Sequence, residues 1–235
     1  MKGMILAAGF GTRLGALTAH TPKCLIDVAG VPILGRVVKR LKEAGVTDLA
    51  INTHYLAEQV SDFVKNDGVF NGLKVQIFYE EEILGTGGGI KNAAKFLSEG
   101  DGDFIVHNGD TYEEFDLVKL IKDHQESSAI ATLAVIDKQT KSCVLRDRDN
   151  KFKGLWSEGA PIVAGLEPLT YTGVQCVSSK IFRYMQNFEG NFSIFPVYEE
   201  ALKDSQSIIT AHQGEACFID IGTPEDLERL RKKLR

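Results

Sequence analysis

Four stretches of this sequence bring together residue types that can do chemistry. The first is Leu6-Ala7-Ala8-Gly9-Phe10-Gly11-Thr12-Arg13-Leu14, placed directly after the apolar run Met4–Ala7. Gly9 and Gly11 let backbone N–H groups approach an anion, and Arg13 adds a charged fork suited to phosphate oxygens. Thr21-Pro22-Lys23 follows, where the restrained Pro22 can aim Lys23 back at the same pocket. The segment is neither a dinucleotide fingerprint, which needs a third glycine where Leu14 stands, nor a P-loop, which needs Gly-Lys-Ser/Thr. A Gly-rich turn without a ligand is the plain alternative.

The second stretch is Leu84-Gly85-Thr86-Gly87-Gly88-Gly89, preceded by Glu80, Glu81 and Glu82. Three successive glycines weaken a helix, so the expectation is a loop that a flat ligand such as a nucleobase can approach, with the helix starting after Gly89. A bare flexible loop stays open, as does a merely solvated acidic edge. Third, His107-Asn108-Gly109-Asp110 ends an apolar strand, where a carboxylate is well placed as a magnesium ligand. Fourth, Phe218-Ile219-Asp220-Ile221-Gly222-Thr223-Pro224 sets Asp220 between isoleucines, consistent with burial against a helix N-terminus or with a metal. No His is assigned a role; His54 and His107 read as core histidines.

The elements that must position these residues alternate in the first half. Strand signals at Met4–Ala7, Leu49–Ile51, Val75–Tyr79 and Phe104–Val106 are separated by helical spacing such as Ile33, Leu34, Val37, Val38 and Leu41. This pattern predicts βαβ units and a mainly parallel sheet flanked by helices. The second half is richer in strands: Ala129–Ile136, a hairpin over Val144–Leu155, Thr170–Val177 and Cys217–Ile221. Short helices are expected at Ser179–Tyr184 and Ile194–Leu202, and a last one is capped by Thr223 with Pro224 at its first position.

Composition excludes several classes. The chain has 235 residues, a net charge of −5, 43% hydrophobic and 25% charged residues, which rules out disorder and disulfide scaffolds. A mildly acidic chain lacks the basic field of a nucleic-acid binder, and no apolar run approaches membrane-spanning length. Cys24, Cys143, Cys176 and Cys217 show no metal spacing and fit free thiols in a cytoplasmic protein. Glycine is in surplus, 23 residues where average usage gives roughly 16.

Taken in order, these segments resemble the sugar-1-phosphate nucleotidyltransferase family. The likeness rests on Leu6–Leu14, Pro22-Lys23, Leu84–Gly88, Asn108-Gly109-Asp110, Tyr171-Thr172-Gly173-Val174 and Asp220–Pro224, and it covers nearly the whole chain. It implies a Rossmann-like α/β fold in one domain over 1–235, with a nucleotide half to about 125 and a smaller, β-rich sugar-phosphate half beyond.

The resemblance also implies roles. Backbone around Leu6, Ala7, Ala8, Gly9, Gly11 and Thr12 would hold the nucleotide, Arg13 its phosphates, and Lys23 the reacting centre. Glu80, Gly85, Thr86, Gly87 and Gly88 would face the base, and Asp110 and Asp220 would hold Mg²⁺. Asn108, Gly109, Glu167, Thr172 and Gly173 would face the sugar phosphate. Gly15–Thr18 and Glu167-Pro168 depart from the family pattern, and the second departure weakens the Glu167 assignment.

The expected reaction is attack of a sugar 1-phosphate on a nucleoside triphosphate, releasing pyrophosphate. Phosphoryl-type transfer needs positioning and charge neutralisation rather than a protein base. The sequence most resembles short members of the muramate-1-phosphate uridylyltransferase type, so UTP is the expected donor and GTP, with a heptose or mannose phosphate, the alternative. A non-catalytic binding subunit is a further alternative; a choline-type cytidylyltransferase shares the opening motif but lacks the Gly-Thr-Gly-Gly run, which argues against it. A monomer or homodimer is expected.

Overall fold

Met4 and Ile5 are adjacent on the first strand and both fully buried. Side chains alternate faces along a strand, so this strand is covered on both sides, as central parallel strands are. The computed structural model describes residues 1–100, 102–138 and 140–235. Its strands are β1 (Lys2–Leu6), β2 (Asp27–Val28), β3 (Val31–Pro32), β4 (Asp48–Thr53), β5 (Lys74–Tyr79), β6 (Asp103–Asn108) and β7 (Thr111–Glu113). They continue with β8 (Ala131–Ile136), β9 (Ser142–Arg146), β10 (Phe152–Ser157), β11 (Glu167–Ser178), β12 (Ile208–His212) and β13 (Phe218–Asp220). The helices are α1 (Ile33–Glu43), α2 (Ala57–Asn66), α3 (Gly85–Asn92), α4 (Ala94–Ser98), α5 (Leu117–Ser127), α6 (Ile194–Lys203) and α7 (Pro224–Lys233).

Among the described residues, β5, β4, β1 and β6 form a parallel block, and β11 continues the sheet antiparallel to β6. β8 and β12 extend it along the other edge of β11, while β9 pairs with the start of β11 and β10 pairs in turn with β9. The sheet is mixed and mainly parallel in its N-terminal half, with helices on both faces, as the strand–helix alternation predicts. Met4, Ala50 and Val106 face α6 and α3–α4, while Ile5, Leu49 and Ile105 face α1 and α5. On α1, Leu34, Val37, Val38 and Leu41 make the buried stripe.

Two features of the sequence pattern needed correction. The helix expected after Gly89 begins at Gly85 and contains the glycine run. β12 carries no strong strand signal, yet it pairs parallel with β8 over Ile208–His212. The C-terminal helix is capped as expected, the Thr223 hydroxyl accepting from Asp226 N at 3.2 Å.

Candidate functional site

The ends of three parallel strands set the site. In register, Leu6 lies beside Asn52 on β4 and beside Asn108 on β6. These are the carboxyl ends of the strands, where an open α/β sheet holds its ligand. Gly109 N donates to Leu6 O at 2.8 Å, and a Cβ on Gly109 would stand 3.1 Å from that oxygen. Glycine is therefore needed for the turn after β6 to close on β1.

That turn delivers Asp110. β7 follows immediately and pairs with β13, opposing Thr111 to Asp220, and Ile221 N donates to Asp110 O at 3.1 Å. Two carboxylates distant in sequence thus meet. Lys23 lies between them, its Nζ 2.5 Å from Asp110 Oδ2 and 3.2 Å from Asp220 Oδ1. Only 8% of Lys23 is exposed. Gly11 adopts φ +66°, and a Cβ there would stand 2.9 Å from Lys23 Cβ, so this glycine admits the lysine stem.

Arg13 Nη2 lies 4.0 Å from Asp220 Oδ2, and its guanidinium rests on Gly222, where a Cβ would come within 2.8 Å. The Arg13 side chain stays largely exposed at the mouth. Burial and the neighbouring Asp110 push the Asp220 carboxyl above its ordinary range, against the opposing pull of Lys23 and Arg13. Such a pair of crowded carboxylates is disposed to take a cation.

Beside these charges is a cleft of about 210 Å³. From the expected set it is lined by Leu6, Ala8, Gly9, Glu80, Gly85, Thr86, Asn108 and Asp110, and Asn52 and Ile83 join them. Among the described residues, no protein group accepts from the backbone N–H of Ala8, Gly9, Phe10 or Gly11. A larger cavity, about 800 Å³, opens between α2 and β5, but it lacks the convergent charges.

Several expected contacts turn out to be internal. Glu80 is 2% exposed; its Oε1 accepts from Asn52 Nδ2 at 2.7 Å and its Oε2 from Leu84 N at 2.9 Å. Its carboxylate braces the cleft wall instead of standing free for a base. Asn52 Oδ1 in turn accepts from Ala7 N at 2.7 Å, so Ala7 presents no free N–H. The glycine run is explained by the protein itself. A Cβ on Gly87 would lie 2.5 Å from the Phe192 ring, and one on Gly88 would lie 2.7 Å from Gly190 O. Gly87 N and Gly88 N both point at Phe192 O. The chain before α6, not a flat ligand, makes the close approach.

On the other wall, Asn108 lies against Gly173, whose φ is +79° at a register shift in β11 and where a Cβ would strike Asn108 Nδ2 at 2.3 Å. The Thr172 hydroxyl donates to Ala134 O at 2.9 Å and is therefore spent inside the sheet. Glu167 pairs with Arg146 of β9 at 2.8 Å and does not line the cleft. Thr12 is exposed and opens a 3₁₀ turn through Thr18. Asn52 escaped the sequence reading. Its signal is an amide closing the buried run Leu49-Ala50-Ile51, legible only once β4 is known to flank β1.

The chain is 34% identical over 236 residues to the mannose-1-phosphate guanyltransferase of Debaryomyces hansenii, covering 96% of this chain and 62% of that one. It is 28% identical over 242 residues to the UTP–glucose-1-phosphate uridylyltransferase of Synechocystis, covering 96% and 61%. The crystal structure of HddC from Yersinia pseudotuberculosis complexed with GMP-PN superposes with a TM-score of 0.80 at 30% identity, covering 100% of this chain and 99% of that one. The chain spans 40 to 63% of the length of the curated relatives it matches. The family profile described as nucleotidyl transferase matches residues 2–143, more than half of the sequence, and the chain belongs to the nucleotidyl transferase family.

Proposed function

We propose that this protein transfers a nucleotidyl group from a nucleoside triphosphate to a sugar 1-phosphate, with GTP as the donor. The observation that carries the reading is Lys23 held between Asp110 and Asp220, with Arg13 alongside, at the mouth of a cleft formed by strand ends. A sugar 1-phosphate brings an already ionised oxygen. That oxygen attacks the α-phosphorus, the bond to the β-phosphate oxygen breaks, and pyrophosphate departs with both electrons of that bond. No proton needs removing, so the protein's task is to align the reactants and offset their charge.

In this reading, the unpaired N–H groups from Ala8 to Gly11 cradle the triphosphate and the exposed Arg13 grips its outer phosphates. Lys23 leaves the carboxylates to neutralise the reacting phosphates. Asp110 and Asp220 suit a divalent cation, because both already converge on one positive centre and Mg²⁺ takes few carboxylates beside water and phosphate. Bound there, Mg²⁺ would supply further charge neutralisation. Asn108 and Gly173 form the wall nearest the sugar phosphate.

The donor departs from the uridylyl expectation. Support for GTP comes from the guanyltransferase relative at 34% identity and from a matched structure that carries a guanosine nucleotide. The uridylyltransferase relative at 28% supports UTP as the second reading. Four nucleoside triphosphates assayed against mannose, glucose and heptose 1-phosphates, with pyrophosphate as readout, decide between them. Turnover best with GTP is expected; preference for UTP selects the second reading, and no turnover with any pair refutes both.

A further inference from the structure

Behind the two aspartates lies a polar cluster that the reaction does not touch. Glu113, at the end of β7, is 2% exposed. Burying a carboxylate is costly unless it is paired and fully hydrogen-bonded, so its partners are informative. Arg40 of α1 meets it as a two-pronged fork, Nε to Oε1 and Nη2 to Oε2, each at 3.1 Å. Oε2 also accepts from Phe115 N at 2.6 Å, and Arg40 Nη2 reaches Phe115 O. On the opposite side stands His107 of β6, 1% exposed. Its Nδ1 donates to Asn108 O at 2.7 Å, which turns Nε2 toward Glu113 Oε1 at 3.7 Å. Among the described residues Nε2 has no hydrogen-bond partner. Burial alone would raise the Glu113 carboxyl, yet His107 and Arg40 hold it below its ordinary range.

The location gives this cluster its meaning. His107 precedes the Asn108-Gly109-Asp110 turn and Glu113 follows it, so the two side chains clamp the turn from both ends. Among the described residues β13 pairs only with β7, through Phe218 opposite Glu113 and Asp220 opposite Thr111. A shift of β7 therefore moves Asp110 and Asp220 together. The Arg40 fork fixes β7 to α1, and none of Arg40, His107 and Glu113 lines the cleft itself.

We propose that Arg40, Glu113 and His107 are positioning residues that fix where the Asp110–Asp220 pair stands relative to Lys23 and the cleft, and hence the affinity of the site for a divalent cation. This inference rests on the cation role given to those aspartates above. Two-pronged geometry matters because a guanidinium fork fixes direction as well as charge, which an ammonium cannot do.

The test uses the full chain with Mn²⁺ as probe, its free fraction followed by electron paramagnetic resonance in the presence of a non-hydrolysable guanosine nucleotide. Glu113→Gln and Arg40→Lys are each expected to weaken Mn²⁺ binding by about tenfold or more, the scale seen for residues that orient metal ligands. In turnover assays kcat falls while KM for the triphosphate stays within about threefold, and excess Mn²⁺ restores part of the rate. Tyr198→Phe is the control. It removes the buried bond from Tyr198 to Gln175 Oε1, on the far core layer, and is expected to lower the melting temperature without touching Mn²⁺ affinity. Should Glu113→Gln fail to fold, Arg40→Lys retains the charge and carries the test. Folded variants with unchanged Mn²⁺ affinity overturn the inference. Absence of Mn²⁺ binding by the unmutated protein instead overturns the cation role itself.

Discussion

Asn52 Nδ2 donates to Glu80 Oε1 at 2.7 Å, tying the end of β4 to the segment that leads into the glycine run. Because Asn52 also holds Ala7 N and Glu80 also holds Leu84 N, one side-chain pair fixes both lips of the cleft. Each Glu80 oxygen is an acceptor facing a donor.

This arrangement separates bracing from base reading. Glu80→Gln replaces one acceptor by a donor that must face either Asn52 Nδ2 or Leu84 N. A buried group left unsatisfied costs about 1–3 kcal/mol, so the urea midpoint should fall by that equivalent and kcat/KM should drop for every nucleotide. A changed base preference at unchanged stability would show that Glu80 reads the base instead.

Asp220 leads to a less intuitive outcome. Its folded pKa is raised, so it contributes stability that is complete below the unfolded value and is lost as pH rises through the folded value. The ionised carboxylate therefore strains the free protein at neutral pH. Asp220→Asn should abolish pyrophosphate release yet melt at a higher temperature than the unmutated chain at pH 7. That advantage should disappear below about pH 4, where the carboxyl is protonated in both states. Thermal scans across pH with parallel activity assays check both halves.

Lys23 is the cation that the two aspartates already share. Lys23→Met keeps much of the buried stem but leaves Asp110 and Asp220 facing each other without compensation. Loss of a charge that serves the reacting phosphates should lower kcat by about 10²–10³. Mn²⁺ binding without nucleotide should tighten, because the ammonium no longer competes for the same oxygens. Equal Mn²⁺ affinity in both proteins would mean that the lysine and the cation do not share the seat.

The sequence pattern revealed the sheet because its strands are short apolar runs and its helices carry regular apolar stripes, as on α1. It revealed Arg13, Lys23, Asp110 and Asp220 because charges beside glycines and apolar strand ends are locally conspicuous. Asn52 and the Arg40–Glu113–His107 cluster were not legible. Their meaning comes from the parallel register of β1 with β4 and from the β7–β13 ladder, both long-range pairings. β12 was missed for a related reason, since its strand identity depends on pairing with β8. Glu80 was found without its bonds to Asn52 and Leu84 N, because a sequence cannot say whether a carboxylate faces a ligand or the backbone of its own loop.

The two glycine clusters, alike in sequence, should answer to substitution in opposite ways. Gly9 has nothing within 4 Å of where a Cβ would stand, and it is exposed beside the unpaired N–H groups of the first loop. Gly9→Ala should leave the melting temperature unchanged or slightly higher while raising KM for the triphosphate, since a methyl group intrudes where only a ligand would come close. A Cβ on Gly87 would stand 2.5 Å from the Phe192 ring, an impossible distance for a methyl group. Gly87→Ala must push α3 away from the chain before α6, and overpacking of this kind costs about 1–3 kcal/mol. Calorimetry and initial rates on both variants distinguish a glycine kept for a ligand from one kept for the fold. A stable Gly87→Ala with raised KM would return the second cluster to the role of a base-binding wall.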